Sequence, residues 1–236
     1  MDENYAYPGQ ELELFEGARN WKRYLGSRLN PFIGKQVLEV GAGIGETTVH
    51  LLHEGVEQWT CLEPDETLLA TLQKKKADGY LPSRCHVIGG NIRHLSPGEQ
   101  FDTILYIDVL EHIEKDKEEL EAATKLLCTG GRLIVLSPAF NFLYSEFDRA
   151  IGHYRRYRKK ELAALRPPGL SREMLIYLDS MGFFASVMNK LLLHQAYPTK
   201  AQIGLWDRRL IPLSRLTDRL FFHGFGKSIL AVWKKQ

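Results

Sequence analysis

The sequence has few cysteines, no long apolar run and a first segment that does not resemble a secretory leader. Its 236 residues include three cysteines, Cys61, Cys85 and Cys128, whose spacing matches no metal motif. No apolar run approaches the ~18 residues that a membrane-spanning helix needs. The polar, acidic start lacks the basic and apolar regions of a secretory signal. We therefore expect reduced, buried thiols, a cytoplasmic location and no metal.

Charge is unevenly distributed along the chain. Residues 1–150 carry 15 Lys and Arg against 24 Asp and Glu, whereas residues 151–236 carry 16 against 5. The first part therefore has a net charge of −9 and the last part +11, which sum to the +2 of the whole chain. This pattern indicates either that the last part meets an anionic partner or that the two parts attract each other.

Short apolar runs alternate with helical stretches from Lys35 onward. The alternation predicts a parallel, doubly wound α/β sheet with helices on both faces. Two further apolar runs bring the number of strands to seven, and the long helical stretch before the last of them predicts an inserted cap. The predicted strands are residues 36–40, 59–62, 85–88, 101–107, 132–137, 173–178 and 227–233. In such sheets a ligand binds at the carboxyl ends of the strands.

A glycine loop follows the first strand and opens a helix. It includes Gly41, Ala42, Gly43 and Gly45, and its glycines allow a ligand to approach bare backbone. The helix start offers free N–H groups to a ligand carboxylate or phosphate. A dinucleotide fingerprint would need glycine or alanine where Glu46 stands, so an amino-acid ligand fits better. Glu39, just before the glycines, can then accept a hydrogen bond from the ligand's ammonium group.

Polar side chains also follow the next three strands. Glu63, with Pro64 beside it, ends the second strand and is placed to bind both ribose hydroxyls of an adenosine. Asn91 and Ile92 follow the third strand, where they are candidates for reading and packing on an adenine. The last candidates for this ligand site end the fourth strand, namely Asp108 and Val109.

These segments, in this order, resemble the motifs of the class I methyltransferase superfamily. The similar segments are 38–45 (LEVGAGIG), 62–65 (LEPD), 90–92 (GNI), 101–112 (FDTILYIDVLEH) and 130–134 (GGRLI). The resemblance implies S-adenosylmethionine as the cofactor and S-adenosylhomocysteine as the product. The family often has Asp where Asn91 stands. Residues 152–157 (GHYRRY) further resemble a bacterial subgroup that we associate with small-molecule or lipid-type acceptors.

The resemblance implies one domain, residues 1–236, with a cofactor-binding core. We divide it into a helical lead-in (1–33), the core (34–137), a substrate-side loop with the sixth strand (138–178), the cap (179–226) and the last strand (227–236). Methyl transfer needs an acceptor atom aligned behind the activated methyl and water excluded, without a metal. We favour oxygen over nitrogen or carbon as that atom.

An oxygen acceptor would usually need a base, and His153 and His112 are the candidates. Each histidine has a structural alternative, which is orienting its turn or the substrate. Beside His153, the predicted acceptor-binding residues are Tyr154, Arg155, Arg156 and Tyr157. The arginines favour a phosphate or carboxylate on the acceptor, or else ion pairs with the acidic first part.

The predicted acceptor is a small or lipid-linked molecule, and the apolar, basic cap could contact an anionic membrane surface. Nucleic acid is disfavoured because the isoelectric point is only about 8.3 and no RNA-binding module is visible. Two alternatives remain for the chain as a whole. One is an NAD-dependent oxidoreductase on the same class of sheet, and the other is a non-catalytic protein that binds S-adenosylmethionine.

Overall fold

Seven strands form one sheet in the computed structural model, which describes residues 7–236 except 10, 97, 194 and 196. Residues 1–6 of the predicted lead-in lie outside the described residues. The strands are β1 Gln36–Val40, β2 Gln58–Glu63, β3 Cys85–Gly89, β4 Phe101–Ile107, β5 Leu127–Pro138, β6 Leu170–Leu178 and β7 Ser228–Lys235. Their order across the sheet is β3-β2-β1-β4-β5-β7-β6.

All strand pairs among β1 to β5 are parallel, and β7 runs antiparallel to both β5 and β6. The α-helices are α1 Glu11–Phe15, α2 Arg19–Leu29, α3 Glu46–Leu51, α4 Glu66–Ala77, α5 Asp116–Lys125, α6 Glu146–Ala150, α7 Lys159–Ala164, α8 Ser180–Met188, α9 Lys200–Leu205 and α10 Ile211–Leu220. Among the described residues, none of these helices has both the length and the hydropathy to cross a membrane. The predicted fold class, with its mostly parallel sheet, is confirmed.

Two apolar cores lie on opposite faces of the sheet because side chains alternate along each strand. On β4, Ile104 belongs to one core together with Leu120 of α5. Its neighbour Leu105 belongs to the other core together with Leu72 of α4 and Leu29 of α2. Both faces are thus covered by helices, which explains why β4 is apolar along most of its length.

The segment between β6 and β7 is helical, and we refer to residues 179–226 as the helical cap. Two fully buried carboxylates stabilise it: Asp179 joins parts of the cap to each other, and Asp218 attaches the cap to α2. Asp179 accepts hydrogen bonds from Trp206 Nε1 and Ser214 Oγ, both at 2.7 Å. Asp218 accepts one from the hydroxyl of Tyr24, on α2, at 2.8 Å. The cap is therefore fixed at its base on the N-terminal helices.

Two helix predictions need correction. The sequence of residues 115–128 predicts a helix that Gly130-Gly131 would end, but α5 stops at Lys125 and strand β5 already begins at Leu127, so both glycines lie inside a strand. Their position coincides with an irregular register between β4 and β5, where Phe101 pairs with Leu127 but Thr103 pairs with Arg132. Such an irregularity accommodates glycine in a strand.

The N-terminal stretch also differs from the single amphipathic helix suggested by its apolar residues. It forms α1 and α2, with Gly17 in the turn between them. Ahead of both helices, the main-chain N–H of Tyr7 donates to Asp65 Oδ2 at 2.7 Å. This contact brings the beginning of the described chain across the carboxyl ends of the strands.

Candidate active site

One large cavity of about 960 Å³ lies at the carboxyl ends of β1, β2 and β4. The chain leaves β1 towards β2 on one side and returns to β4 on the other, so the cavity lies at the point where the strand order reverses. Its roof comes from two distant parts of the sequence. They are the N-terminal helices, including Trp21, and the helical cap, including Trp206.

The glycine loop forms the floor of this cavity, where Gly41, Ala42 and Gly43 lie on the wall. Gly41 has a φ of +69°, and a Cβ there would approach Val109 Cγ2 to 2.7 Å. Gly45 does not line the cavity. It begins α3 with a φ of +79°, and a Cβ there would approach Leu72 to 2.7 Å. The loop therefore needs glycine for its own path as well as for a ligand.

Glu39 is buried at the end of β1 and lines the cavity. Its Oε2 accepts hydrogen bonds from Thr48 Oγ1 at 2.5 Å and from Trp59 Nε1 at 2.8 Å. Burial outweighs these hydrogen bonds and raises the pKa of Glu39 to about 7. The carboxylate is thus oriented by its neighbours and is stabilised further by any cation that enters beside it.

Glu63 ends β2 and takes part in shaping the loop, a role that the sequence did not suggest. Its Oε2 accepts a hydrogen bond from the N–H of Gly43 at 2.7 Å, and its Oε1 accepts one from Asp65 at 2.9 Å. Burial raises the pKa of Glu63 to about 7, against these two hydrogen bonds. Each oxygen keeps a lone pair, so both can still accept a ribose hydroxyl. Pro64 lies beside it on the cavity wall.

The remaining cofactor candidates divide into two groups. Asp108 and Val109 line the cavity at the end of β4, and Asp108 has a φ of +55°, a strained conformation typical of functional sites. Asn91 and Ile92 lie at the end of β3 but not on the cavity wall. Asn91 Oδ1 accepts the N–H of Arg93 at 3.0 Å and so caps a short helical turn, while Ile92 is in the core.

Beyond Asp108, the cavity wall carries a cluster of two histidines and two carboxylates. Glu111, His112, Asp148 and His153 all line the cavity. Nδ1 of His153 lies 2.9 Å from Asp148 Oδ1, and its Nε2 lies 3.8 Å from Glu111 Oε1. The two imidazole rings meet edge to face at 4.5 Å. Both histidines singled out from the sequence are therefore at the same place.

The electrostatics of this cluster are dominated by burial. Burial lowers the pKa of His112 to about 3, so this imidazole is neutral near pH 7. Burial and the neighbouring Asp108 raise the pKa of Glu111 well above its ordinary value. Asp148 behaves differently. Burial acts to raise its pKa, but hydrogen bonds from His153 and Arg156 outweigh it, and the pKa lies below its ordinary value.

Three of the four predicted acceptor-binding residues lie away from the cavity. Tyr154 is exposed at the surface, and Arg155 pairs with Asp116 at 2.8 Å. Tyr157 is buried and donates its hydroxyl hydrogen to the same carboxylate at 2.8 Å. These residues hold the loop onto α5. Among the four, Arg156 alone lines the cavity, so we keep it as the acceptor-binding candidate.

Lys227 was not singled out from the sequence, although it lines the cavity. It immediately precedes β7, whose antiparallel direction brings its first residue to the same edge as the carboxyl end of β4. Its Nζ lies 5.0 Å from the ring centre of Trp206 and 5.9 Å from that of Phe15. Burial lowers the pKa of Lys227. No carboxylate of the described residues forms an ion pair with it.

Comparison with known proteins agrees with these features. Residues 38–133 match the family described as a methyltransferase domain. The chain is 30% identical over 119 residues to the tRNA U34 carboxymethyltransferase of Idiomarina loihiensis, covering 49% of this chain and 36% of that one. The corresponding protein of Shewanella piezotolerans is 26% identical over 132 residues, with 56% and 40% covered. The chain thus spans two fifths or less of the length of these relatives.

Solved structures extend the likeness over almost the whole chain. A geranyl diphosphate methyltransferase in complex with S-adenosylmethionine has a TM-score of 0.65 at 11% identity, with 97% of this chain and 91% of that chain covered. The N-methyltransferase NodS from Bradyrhizobium japonicum, in complex with S-adenosylhomocysteine, has a TM-score of 0.58 at 15% identity, with 93% and 88% covered. At these identities the shared property is the fold.

The sheet order, the cavity at its switch point and the family of residues 38–133 together define a class I methyltransferase fold. Residues 38–133 resemble a methyltransferase domain, and almost the whole chain shares its fold with a protein solved in complex with S-adenosylmethionine, which argues against the oxidoreductase alternative. The cavity suits this cofactor, because a bare glycine loop lies between two buried carboxylates. Both carboxylates line the cavity, so Glu39 stays our candidate for the ammonium group and Glu63 our candidate for the ribose hydroxyls.

Proposed function

We propose that the chain is an S-adenosylmethionine-dependent methyltransferase that acts on a hydroxyl oxygen of a small or lipid-linked acceptor bound beneath the helical cap. The observation that carries the proposal is the pairing of His153 with Asp148 on the cavity wall, beyond the cofactor end. The charged Asp148 holds the hydrogen on Nδ1 of His153. Nε2 is then left as a proton acceptor that faces Glu111 and the cavity.

The bound cofactor supplies an activated sulfonium methyl group. The acceptor oxygen gains the methyl carbon as the carbon–sulfur bond breaks with its electron pair left on sulfur. Nε2 of His153 takes the hydroxyl proton, and the charge on the resulting imidazolium is balanced by Asp148. Trp21 and Trp206 exclude water from above, which keeps the nucleophile aligned and unsolvated.

Two cations on the cavity wall, Lys227 and Arg156, support an acceptor with an anionic group. Lys227 lies near two aromatic rings, and the nearby carboxylates of Asp179 and Asp108 form no ion pair with it. Arg156, which is 8% exposed, has an Nη1 without a hydrogen-bond partner among the described residues. A phosphate or carboxylate on the acceptor would pair with these two cations.

The outer surface of the cap supports contact with an anionic membrane. Leu213, Leu216 and Leu220 are exposed along α10, and Arg215 and Arg219 lie between them. Apolar side chains interleaved with arginine suit a helix that lies in the headgroup region of anionic lipids. We expect co-sedimentation with phosphatidylglycerol vesicles, weaker binding at high salt and a marked loss in L216S/L220S. Equal binding to phosphatidylcholine vesicles would contradict this part of the proposal.

A tRNA acceptor is the second candidate, because the similar curated proteins are named for tRNA modification. One assay separates the candidates. Purified chain and radiolabelled S-adenosylmethionine are incubated with lipid extract, with small hydroxylated and anionic compounds, or with total tRNA. Label in a base-stable methyl ether of a lipid or small molecule supports the first candidate. Label in tRNA alone replaces it with the second, and no transfer to any pool favours a non-catalytic binding protein.

A further inference from the structure

The cluster on the cavity wall contains more ligand atoms than proton transfer requires. Glu111, His112 and His153 each offer one nitrogen or oxygen, and these atoms all lie within 4.8 Å of one another. They come from two separate segments, the turn after β4 and the loop after α6. Two imidazoles and one carboxylate that meet beside a cavity form a donor set that binds divalent transition metals.

Two members of the cluster carry buried polar atoms without a well-formed hydrogen bond among the described residues, although the Ser137 hydroxyl lies near Glu111 and the main chain of Gly152 near His112. Glu111 is 0% exposed, and neither of its oxygens has a hydrogen-bond partner among the described residues. His112 is 8% exposed, and its Nδ1 also lacks a described partner. Buried polar atoms are nearly always paired, because an unpaired one loses its hydration without compensation. Three such atoms close together indicate that a bound ligand supplies the partners they lack.

The third member is oriented as metal-binding histidines usually are. His153 makes its Nδ1 contact to the carboxylate of Asp148 at 2.9 Å, and Arg156 holds that carboxylate through two hydrogen bonds of 2.8 Å. A carboxylate behind a histidine fixes the ring and leaves Nε2 as the free donor. That Nε2 faces Glu111 across 3.8 Å.

We propose that Glu111, His112 and His153 bind a divalent transition-metal ion such as Zn²⁺, with a coordination position open to the cavity. Side-chain rotations that shorten the separations slightly would bring all three atoms to the 2.0–2.2 Å at which zinc is bound. Asp108, also on the wall, adds negative charge nearby.

This inference rests on the proposed function and deepens it. Methyl transfer itself needs no metal, so the ion acts on the acceptor. With the ion bound, Nε2 of His153 is a metal ligand and no longer the proton acceptor; the ion's open position binds the acceptor oxygen, and the hydroxyl proton is lost to solvent. In the metal-free chain, Nε2 of His153 remains the proton acceptor. An acceptor with two adjacent oxygens, or with an oxygen beside a carboxylate, would chelate the ion and be aligned by it.

The test is a calorimetric titration of the chelator-treated full chain with Zn²⁺ alone, with metal content measured after dialysis. We expect one ion per chain and at least a tenfold weaker affinity in Glu111→Gln and in His153→Gln. The control His86→Ala removes an exposed histidine outside the cluster and should bind like the unsubstituted chain. Binding of S-adenosylhomocysteine by each variant reports that the fold is intact.

Absence of stoichiometric zinc binding, or equal affinity in both cluster variants, overturns the metal site. The proposed function has a separate readout. If the metal-free chain transfers methyl groups to a hydroxyl acceptor at full rate, the ion's role in aligning the acceptor fails while the proposed function stands. If zinc binds as expected but no hydroxyl acceptor is methylated, the metal site stands and the proposed function fails.

Discussion

Asp148 holds His153 through a contact of 2.9 Å between Oδ1 and Nδ1, five residues apart in the chain. The same carboxylate receives two hydrogen bonds from Arg156. An ionised, doubly anchored carboxylate fixes both the orientation and the tautomer of the imidazole. Asp148 is therefore a positioning residue, which acts through His153.

This relationship predicts the effect of Asp148→Asn on the reaction. The amide can donate to Nδ1 and so favour the wrong tautomer, and we expect kcat to fall about 10²-fold with little change in KM. The measurement is steady-state methyl transfer with the acceptor found in the screen. Glu161→Gln makes the same chemical change at the surface pair with Arg158 and should leave both constants unchanged. Parallel changes in kcat and KM, or a loss of S-adenosylhomocysteine binding, would point to a structural role instead.

The carboxylate of Glu63 is predicted to bind the ribose of the cofactor. Glu63→Gln keeps the size of the side chain but removes the charge-assisted hydrogen bonds, and we expect binding to weaken by about 1–3 kcal/mol. Titration calorimetry with S-adenosylhomocysteine measures this. Glu66→Gln, at an exposed position on α4, is the matched control. Unchanged affinity in Glu63→Gln would show that the ribose does not bind to the carboxylate of Glu63.

Affinity for the cofactor should depend on pH. The pKa values of Glu39 and Glu63 are each about 7 in the ligand-free chain, and the cofactor binds to their ionised forms. Below pH 7 both carboxyls must lose a proton on binding, so affinity should rise between pH 5.5 and 8 and then level off. Calorimetry in buffers of different ionisation enthalpy would detect the released protons. Glu63→Gln should show a shallower dependence, and a flat profile in the unsubstituted chain would contradict the prediction.

The glycine loop gives a prediction about stability. Gly41→Ala places a Cβ 2.7 Å from Val109 at a φ of +69°, so we expect about 1–3 kcal/mol of destabilisation and loss of cofactor binding. Denaturant unfolding measures the first effect and calorimetry the second. Gly98→Ala has no atom within 4 Å of the added carbon and no positive φ, so it should change neither. Equal stability of the two variants would show that the loop can relax.

The sequence predicted the part of the site whose geometry is local. The strand ends carry Glu39, Glu63 and Asp108, and a parallel sheet brings such positions to one edge whatever the rest of the chain does. The glycine loop likewise follows from its neighbours in sequence. These features depend on residues that are close in sequence, so they can be predicted without knowledge of tertiary contacts.

The part that was missed depends on contacts between distant segments. Lys227 reaches the cavity only because β7 is reversed, and nothing in its own sequence neighbourhood indicates this. Asp148 had a local signal, since Ser145 and Asp148 form a capping box at the start of α6. Tyr154, Arg155 and Tyr157 show the opposite case. Their aromatic and basic side chains suggested that they bind the acceptor. Instead, Tyr154 is exposed to solvent, and Arg155 and Tyr157 contact Asp116 of α5.

The position of β7 between β5 and β6 has a consequence for how the protein is made. Strand β6 is synthesised before β7 but forms its sheet hydrogen bonds with β7. These bonds therefore cannot form until residues 228–235 have been synthesised. Domains generally fold from the N-terminus during synthesis, and here the half that binds the cofactor can form early. The end of the cavity that contains Lys227, where we propose that the acceptor binds, is complete only after translation of β7, so the two ends of the cavity form at different times.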